Sequence, residues 1–193
     1  YNWFVQNTLR AFIAIYLPQD VKNYLGQLSD DLAEQVPHRA VRWVKPEQMH
    51  LTLRFIGETE KNLIPEIQDL LDQTAAQHSA FTLNLEGFGC FPNSKRPRVL
   101  WAGVGGDIKA AGRLKDDIDV ALEPLGWEAE KRTFRPHLTI GRVKDSRKVA
   151  ARRWPDEVQP LTIAVDSIHL IKSELTPAGA IHTMLHNSAL QPA

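Results

Sequence analysis

Cysteine is nearly absent from this sequence of 193 residues, which contains only Cys90. A single thiol cannot form a disulfide within the chain, and this favours a reducing compartment such as the cytoplasm. The sequence also lacks any apolar run close to the roughly 20 residues that span a membrane. The apolar stretch 12–17 is short and no basic segment precedes it, which indicates a buried strand rather than a signal peptide. We therefore expect a cytoplasmic protein without a membrane partner.

Net charge is absent as well, since 23 Lys and Arg balance 23 Asp and Glu. No overall field therefore attracts polyanions, but the charges are unevenly distributed. Residues 131–153, which we call the basic segment, contain nine basic residues and one acidic residue, whereas residues 58–72 contain five acidic residues and one lysine. Such segregation is expected of a surface that faces phosphate or nucleic acid. A solvated charged face is the alternative.

One short motif occurs twice in the chain. His-Leu-Thr followed by an aliphatic residue begins at His50 and again at His137. Composition predicts about 0.01 such motifs per chain by chance, so two copies are a signal. A single strand histidine is usually structural, but two copies in matching contexts favour a functional role.

The first motif alternates with a period of two, which is typical of a strand. Alternation predicts that His50, Thr52 and Arg54 share one face, while the apolar Leu51, Leu53 and Phe55 share the other. Two such strands facing each other would offer two imidazoles and two hydroxyls to one ligand. That set suits a phosphate. It provides hydrogen-bond donors for the phosphate oxygens, a base for the attacking group and an acid for the leaving group.

The order strand, helix, motif strand, helix, strand occurs twice. We predict an α+β fold with two duplicated lobes, each with a mostly antiparallel sheet and flanking helices, and with a central cleft lined by the motif strands. The repeats cover roughly 10–90 and 98–166 of a single domain, 1–193, and a hairpin at 167–190 follows. Predicted strands are 11–17, 41–44, 49–56, 81–86, 99–104, 161–165, 167–175, 181–190 and the strand at His137; predicted helices are 20–36, 62–71, 107–125 and 146–154.

At this point the chain resembles the two-histidine phosphoesterase superfamily, which is defined by a pair of His-x-Thr-x motifs. Within it, the resemblance is closest to the bacterial and archaeal RNA 2′,3′-cyclic phosphodiesterases, historically called 2′-5′ RNA ligases. The similar segments are 10–15, 50–57, 97–101 and 135–142. The resemblance implies a bilobal α+β structure with both motifs lining a central cleft.

The resemblance also implies a reaction and its residues. The reaction is hydrolysis of an RNA terminal 2′,3′-cyclic phosphate to a 2′-phosphate, without metal or cofactor. By resemblance, His50 is the proton donor and His137 the acceptor, although the near-symmetry of the motifs leaves this choice open from the residues alone. Thr52 and Thr139 would bind the phosphate oxygens, and Arg135 with others of the basic segment would hold RNA phosphates. We expect a monomer whose partner is RNA with a cyclic phosphate end, tRNA fragments included.

Three alternatives are kept. The first is a non-catalytic module that binds RNA ends, and two titratable motif residues speak against it. The second is a metal-dependent hydrolase, for which the motifs lack a surrounding cluster of carboxylates or cysteines. The third is a phosphodiesterase of the same family that acts on small cyclic nucleotides or 2′-5′ linked oligonucleotides.

Other residues that could carry chemistry have simpler interpretations. His182 and His186 have the spacing of a helical metal pair, but apolar residues alternate with them, which favours a strand and argues against ligation. Trp43 and Trp101 could stack on bases, yet strand tryptophans usually belong to the core. Phe55 lies on the apolar side of its predicted strand, so we assign it a structural role despite its place beside the motif. The remaining histidines, His38, His78 and His169, have no partner pattern and are assigned surface or structural roles.

Overall fold

The computed structural model describes residues 7–150, 152, 154–155, 157–177 and 179–193. Within these residues the chain forms nine strands and four α-helices. The strands are β1 Thr8–Tyr16, β2 Val41–Trp43, β3 His50–Glu60, β4 Phe81–Phe91, β5 Val99–Gly106, β6 His137–Val143, β7 Thr162–Val165, β8 Ser167–Thr176 and β9 Gly179–Ala189. The helices are α1 Gln19–Glu34, α2 Ile64–Ala75, α3 Ile108–Leu122 and α4 Ser146–Val149. Among the described helices, none is long and apolar enough to cross a membrane.

The nine described strands join in one sheet in which every named pair of strands is antiparallel. Its order is β7-β4-β5-β6-β3-β1-β8-β9. The short strand β2 pairs with residues 141–143 of β6, beyond the N-terminal end of β3. The two motif strands β3 and β6 are neighbours at the centre, where Leu51 pairs with Leu138. The halves of the chain therefore meet at their motifs.

The helices cover one face of this sheet, and we call that face the core face. Leu51 and Leu138 point into the core, where they are almost fully buried with apolar residues of α1, α2 and α3. Because successive side chains of a strand alternate between faces, His50, Thr52, His137 and Thr139 point to the opposite face. We call that the motif face. A small cluster of Phe12, Ala14, Ile171 and Tyr16 packs there separately from the main core.

The structure confirms the predicted α+β class and the predicted elements, with four corrections. The halves share one continuous sheet rather than forming two sheets. Strand β3 continues past Gly57, where we expected an end, because Gly57 has φ 85° and sits at a bulge opposite Ala11. Strand β4 extends to Phe91 rather than 86, since it pairs with β5 as far as Val99. The predicted helix 146–154 ends earlier, at Val149, because Ala150 leaves the helical conformation with ψ 145°. Residues 151 and 153 of that prediction and residue 178 of the turn 176–179 lie outside the described residues.

The predicted duplication stays a prediction, and the strand pairing constrains how the repeats interact. Strand β4 ends the first repeat in sequence but pairs with β5, the first strand of the second repeat. Strand β8 lies beyond the second repeat and pairs with β1, the first strand of the first. Each half thus completes the sheet of the other. We infer that neither repeat would keep a closed hydrophobic core alone.

A buried charge cluster fixes β3 to the segment that leads into the second motif. The guanidinium of Arg54 donates to the Glu128 carbonyl at 2.6 Å and lies 3.4 Å from the carboxylate of Asp119. Asp119 also accepts from Lys115 at 2.6 Å and from the backbone N–H of Glu130 at 3.1 Å. Arg54, Lys115 and Asp119 are each at most 5% exposed. This cluster sets the path of residues 128–136 relative to the first motif strand.

Replacing Asp119 by Ala should destabilise the protein by about 3–5 kcal/mol, because it leaves Arg54 and Lys115 buried without their shared carboxylate. Urea unfolding of the variant and the wild type measures the difference. Asp116→Ala is the matched control: it removes an exposed carboxylate 3.8 Å from Lys115, and its effect should stay below about 1 kcal/mol. Equal losses in the two variants would show that the cluster does not stabilise the fold.

Candidate active site

The pairing of Leu51 with Leu138 brings the two motifs together. Continuing this antiparallel register by one residue on each side puts His50 opposite Thr139 and His137 opposite Thr52. The two histidines are then diagonal neighbours on one face, with a separation of about 7–8 Å. Each imidazole therefore lies beside the hydroxyl of the other motif. All four side chains are half-buried, so a ligand can reach them.

Both histidines are held in the same orientation by their own backbone. Nδ1 of His50 lies 2.8 Å from the carbonyl oxygen of Gln48, and Nδ1 of His137 lies 2.7 Å from that of Arg135. A carbonyl only accepts, so Nδ1 carries a proton in each ring and donates it. The other nitrogen, Nε2, is then the proton acceptor of the neutral ring and an additional donor of the charged ring. The two sites are thus able to take up or release a proton at Nε2.

The environment of His50 differs from that of a solvated imidazole. Burial lowers its pKa to about 4; the hydrogen bond to Gln48 opposes this shift, and the nearby His182, Arg142 and Lys22 add to it. The His50 ring is neutral at pH 7 in the free protein. A bound anion would favour its protonated form, since an opposite charge nearby raises the pKa of a histidine.

Aromatic rings flank each motif histidine. The Phe12 ring lies 4.7 Å from that of His50 at an angle of 30°. Phe91 approaches His137 edge-to-face at 5.1 Å, with Trp101 at 6.4 Å. The Trp101 indole lies across Gly89, where a Cβ atom would approach ring carbons within 2.3 Å, so this position requires glycine. These rings leave little room for either imidazole to rotate.

A bulge follows each motif and brings the fifth residue after the histidine to the motif face. On β3, the pairing with β1 shifts after Thr52, so that Arg54 pairs with Ile13 on the core face and Phe55 pairs with Phe12 on the motif face. Phe55 is 61% exposed and Arg54 only 5%. The alternation in the sequence predicted the reverse, and the placement of Phe55 on the apolar side of its strand was wrong.

The second motif strand is bulged in the same place. Its pairing with β5 shifts after Thr139, so Gly141 pairs with Leu100 on the core face and Arg142 with Val99 on the motif face. Arg42 of β2 stands directly opposite Arg142. Both arginines are exposed, and two like charges in register repel each other. With Lys22, whose charge acts on His50, they make this end of the motif face electropositive.

The other expectations for single residues have different outcomes. The backbone carbonyl of Arg135 accepts the Nδ1 proton of His137, while the side chain of Arg135 is exposed. Trp43 packs on the core, as expected, but Trp101 lies on the motif face beside His137. His169 is structural: its ring is buried against Tyr16 at 4.3 Å.

His182 and His186 occupy the strand β9, as alternation predicted, and a bulge separates them. Ile171 pairs with Met184 and Leu170 with His186, which puts His186 on the core face, where it meets Asp72 of α2 at 2.8 Å. His182 lies on the motif face, 5.3 Å from the His50 ring. No pattern in the sequence indicates this contact. Along with Phe55 and Arg142, His182 is a site neighbour that sequence reasoning missed.

The motif residues lie on the motif face, opposite the helices. Two cavities, of about 680 and 390 Å³, adjoin the segments 123–131 and 130–136, and neither is lined by a motif histidine or threonine. The chemistry of the two imidazoles therefore identifies the site better than cavity size does. Within the described residues, no three His, Cys, Asp or Glu side chains are grouped so that they could hold a metal ion.

Comparison with known proteins matches this arrangement to one family. The family model described as LigT like Phosphoesterase matches residues 15–101 and 107–182. An RNA 2′,3′-cyclic phosphodiesterase of Aeropyrum pernix is 36% identical over 167 residues, which cover 84% of this chain and 92% of the relative. A solved structure of a Thermus thermophilus protein is 30% identical with a TM-score of 0.82, covering 95% of this chain and 99% of its own. Escherichia coli LigT complexed with 3′-AMP is 26% identical with a TM-score of 0.78, covering 95% and 98%.

The low pKa of His50 gives a prediction for the free protein. Its imidazole should titrate near pH 4 in an NMR titration of the ring Cε1–H signal, which a His50→Asn variant assigns. Inorganic phosphate should raise the midpoint, because the anion stabilises the protonated ring; chloride of equal ionic strength is the control. A midpoint near the ordinary histidine value of about 6.5 without phosphate would show that the ring is hydrated and the site more open.

Proposed function

Since the chain belongs to the family of LigT-like phosphoesterases, we propose that it hydrolyses the 2′,3′-cyclic phosphate at the 3′ end of RNA and leaves a 2′-phosphate. The observation that carries this proposal is the register of the motif strands, which gives one phosphate access to two imidazoles and two hydroxyls. The names of the curated relatives, RNA 2′,3′-cyclic phosphodiesterase, support the same substrate. The E. coli LigT structure with 3′-AMP supports a nucleotide ligand.

The proposed mechanism uses one histidine as base and the other as acid. His137 takes a proton from water at Nε2 as the water oxygen attacks phosphorus. The bond from phosphorus to O3′ breaks, and His50 gives its Nε2 proton to O3′. The 2′-phosphate remains, and exchange with solvent restores both histidines. Thr52 and Thr139 donate to the non-bridging oxygens, which stabilises the charge that rearranges during attack.

The low pKa of free His50 bears on its role as the acid. The neutral His50 ring carries its proton on Nδ1 and has none to give at Nε2, so His50 must be doubly protonated when the substrate is bound. The phosphodiester brings a negative charge next to the ring, and this charge favours protonation. We propose that substrate binding and proton uptake by His50 are coupled. His137 is the proposed base.

The arginines near the motifs are suited to bind RNA phosphates other than the cyclic one. Arg42 and Arg142 repel each other across the β2–β6 pair, and an RNA phosphate bound between them would relieve the repulsion. Arg135 stands on the segment directly before His137 and has an exposed side chain. Exposed Phe55, with its ring 6.1 Å from Phe12, offers an aromatic surface on which a base can stack.

The proposal also covers the oligomeric state, the compartment, the RNA substrates and the reverse reaction. Both motifs come from one chain, so the site needs no second copy, and we propose a monomer. The single cysteine supports action in the cytoplasm. RNA fragments such as those of tRNA are the proposed substrates. Joining of RNA ends through a 2′-5′ bond is the reverse reaction of the same site, so incubation of a cyclic-phosphate end with a free 5′-hydroxyl end tests it.

Replacing His50 or His137 by Ala should lower the rate of hydrolysis by about 10²–10⁴-fold, because each removes one proton transfer. The assay is conversion of an RNA ending in a 2′,3′-cyclic phosphate, with chelator present, and identification of the hydroxyl that keeps the phosphate. His186→Ala, which removes a histidine from the core face of β9, is the control and should retain activity. Turnover in the double His50, His137 variant would exclude the mechanism, and loss of wild-type activity in chelator would point to a metal.

Neutralising Arg142 or Arg135 to Gln should raise KM for RNA and weaken its dependence on salt. One lost contact with a single-strand phosphate should reduce the slope of log KM against log salt by about 0.7. Arg135→Gln keeps the backbone carbonyl that holds His137, so its effect on kcat should be small. Arg113→Gln, on the exposed side of α3, is the control. Unchanged salt slopes would remove these arginines from RNA binding, and equal efficiency on a mononucleoside cyclic phosphate would favour a small substrate.

A further inference from the structure

Within the described part of the chain, His50 has a histidine neighbour that His137 lacks. The ring of His182, on the last strand β9, lies 5.3 Å from the His50 ring at an angle of 71°. It also meets the ring of Phe12 at 5.1 Å and 69°. The rings of Phe12 and His50 are inclined by only 30°, so the ring of His182 makes an edge-to-face contact with both of them.

The same strand supports the backbone that orients His50. The side-chain amide of Gln48 donates to the carbonyl of Ala180 on β9. The carbonyl of Gln48 in turn accepts the Nδ1 proton of His50 at 2.8 Å. Ala180 and His182 are two residues apart on one strand and so lie on one face. Strand β9 thus supports His50 in two ways. Ala180 holds Gln48, whose carbonyl accepts the Nδ1 proton of His50, and His182 packs against the His50 ring.

Building on the proposed function, we propose that His182 is a positioning residue that holds the His50 imidazole so that Nε2 points at the substrate phosphate. It acts by filling space with a planar ring, since its contacts with both rings are at van der Waals range for aromatic pairs. A ring fixed in this way loses little freedom when the substrate binds. Displacement of a reacting group by about 1 Å can cost roughly 10²-fold in rate.

The neighbouring charges are consistent with a packing role. The titratable and charged groups that face His50 come from three elements: His182 of β9, Arg142 of β6 and Lys22 of α1. Burial lowers the pKa of His182 and thus favours its neutral form beside His50. A neutral neighbour leaves His50 free to accept a proton when an anionic substrate arrives.

The test compares His182→Ala, which removes the ring, with His182→Phe, which keeps a planar ring but no nitrogen. His186→Ala, on the opposite face of the same strand, is the matched control. We expect His182→Ala to lower kcat about 10-fold to 100-fold with little change in KM, and His182→Phe to recover most of that loss. In the NMR titration, the pKa of His50 should rise towards its ordinary value in His182→Ala, because water reaches the ring, and stay low in His182→Phe.

Three results would overturn the proposal. Unchanged kcat and an unchanged His50 titration in a folded His182→Ala protein would show that the ring does not hold His50. A His182→Phe variant as slow as His182→Ala would show that the imidazole nitrogens are needed, which is a chemical role rather than a positioning one. A loss confined to KM would assign His182 to substrate binding. If the wild type does not cleave a cyclic phosphate, the proposed function fails, while the His50 titration still decides the positioning role.

Discussion

A single cross-strand contact, Leu51 against Leu138, determines the relation between the two halves of this protein. Strands β3 and β6 pair over only this short stretch, and each then continues with other partners. Both leucines are buried in the core beneath the sheet, so a slip of one residue would move them to the exposed face. Hydrophobic burial thus fixes the register, and the register in turn decides which imidazole faces which hydroxyl.

The arrangement on the other face follows from the bulges that come directly after the motifs. Without them, strict alternation would carry Arg54 to the motif face and Phe55 to the core. With them, each strand first presents histidine and threonine and then a third side chain on the same face, Phe55 in one half and Arg142 in the other. The displaced Arg54 enters the core face, where the carboxylate of Asp119 compensates its charge and links β3 to the approach of the second motif.

Much of this could be predicted from the sequence, for identifiable physical reasons. The paired motifs, the apolar periodicity of the helices and the final hairpin all depend on local patterns, and the α+β class follows from them. The roles of His50, His137, Thr52, Thr139 and Arg135 remain predictions that the geometry permits. What could not be predicted depends on one-residue shifts in pairing: the exposure of Phe55, the direction of Arg142 and the separation of His182 from His186. The alternation of apolar and polar residues does not reveal a bulge, because a bulge inserts one extra residue and so shifts which residues face each side.

The two motifs are alike in sequence but unlike in environment, and the difference lies in the outer strands. In one half, β9 pairs with β8 along nearly its whole length and brings His182 over His50. In the other half, the outer strand β7 is four residues long and pairs only with Phe81–Asn84, at the end of β4 remote from Phe91 and His137. Among the strands that the structure describes, no edge strand therefore covers His137. Burial lowers the pKa of His50, and a bound anion would oppose this shift. The environment of His50 thus depends on the hairpin of β8 and β9, which lies outside both motifs.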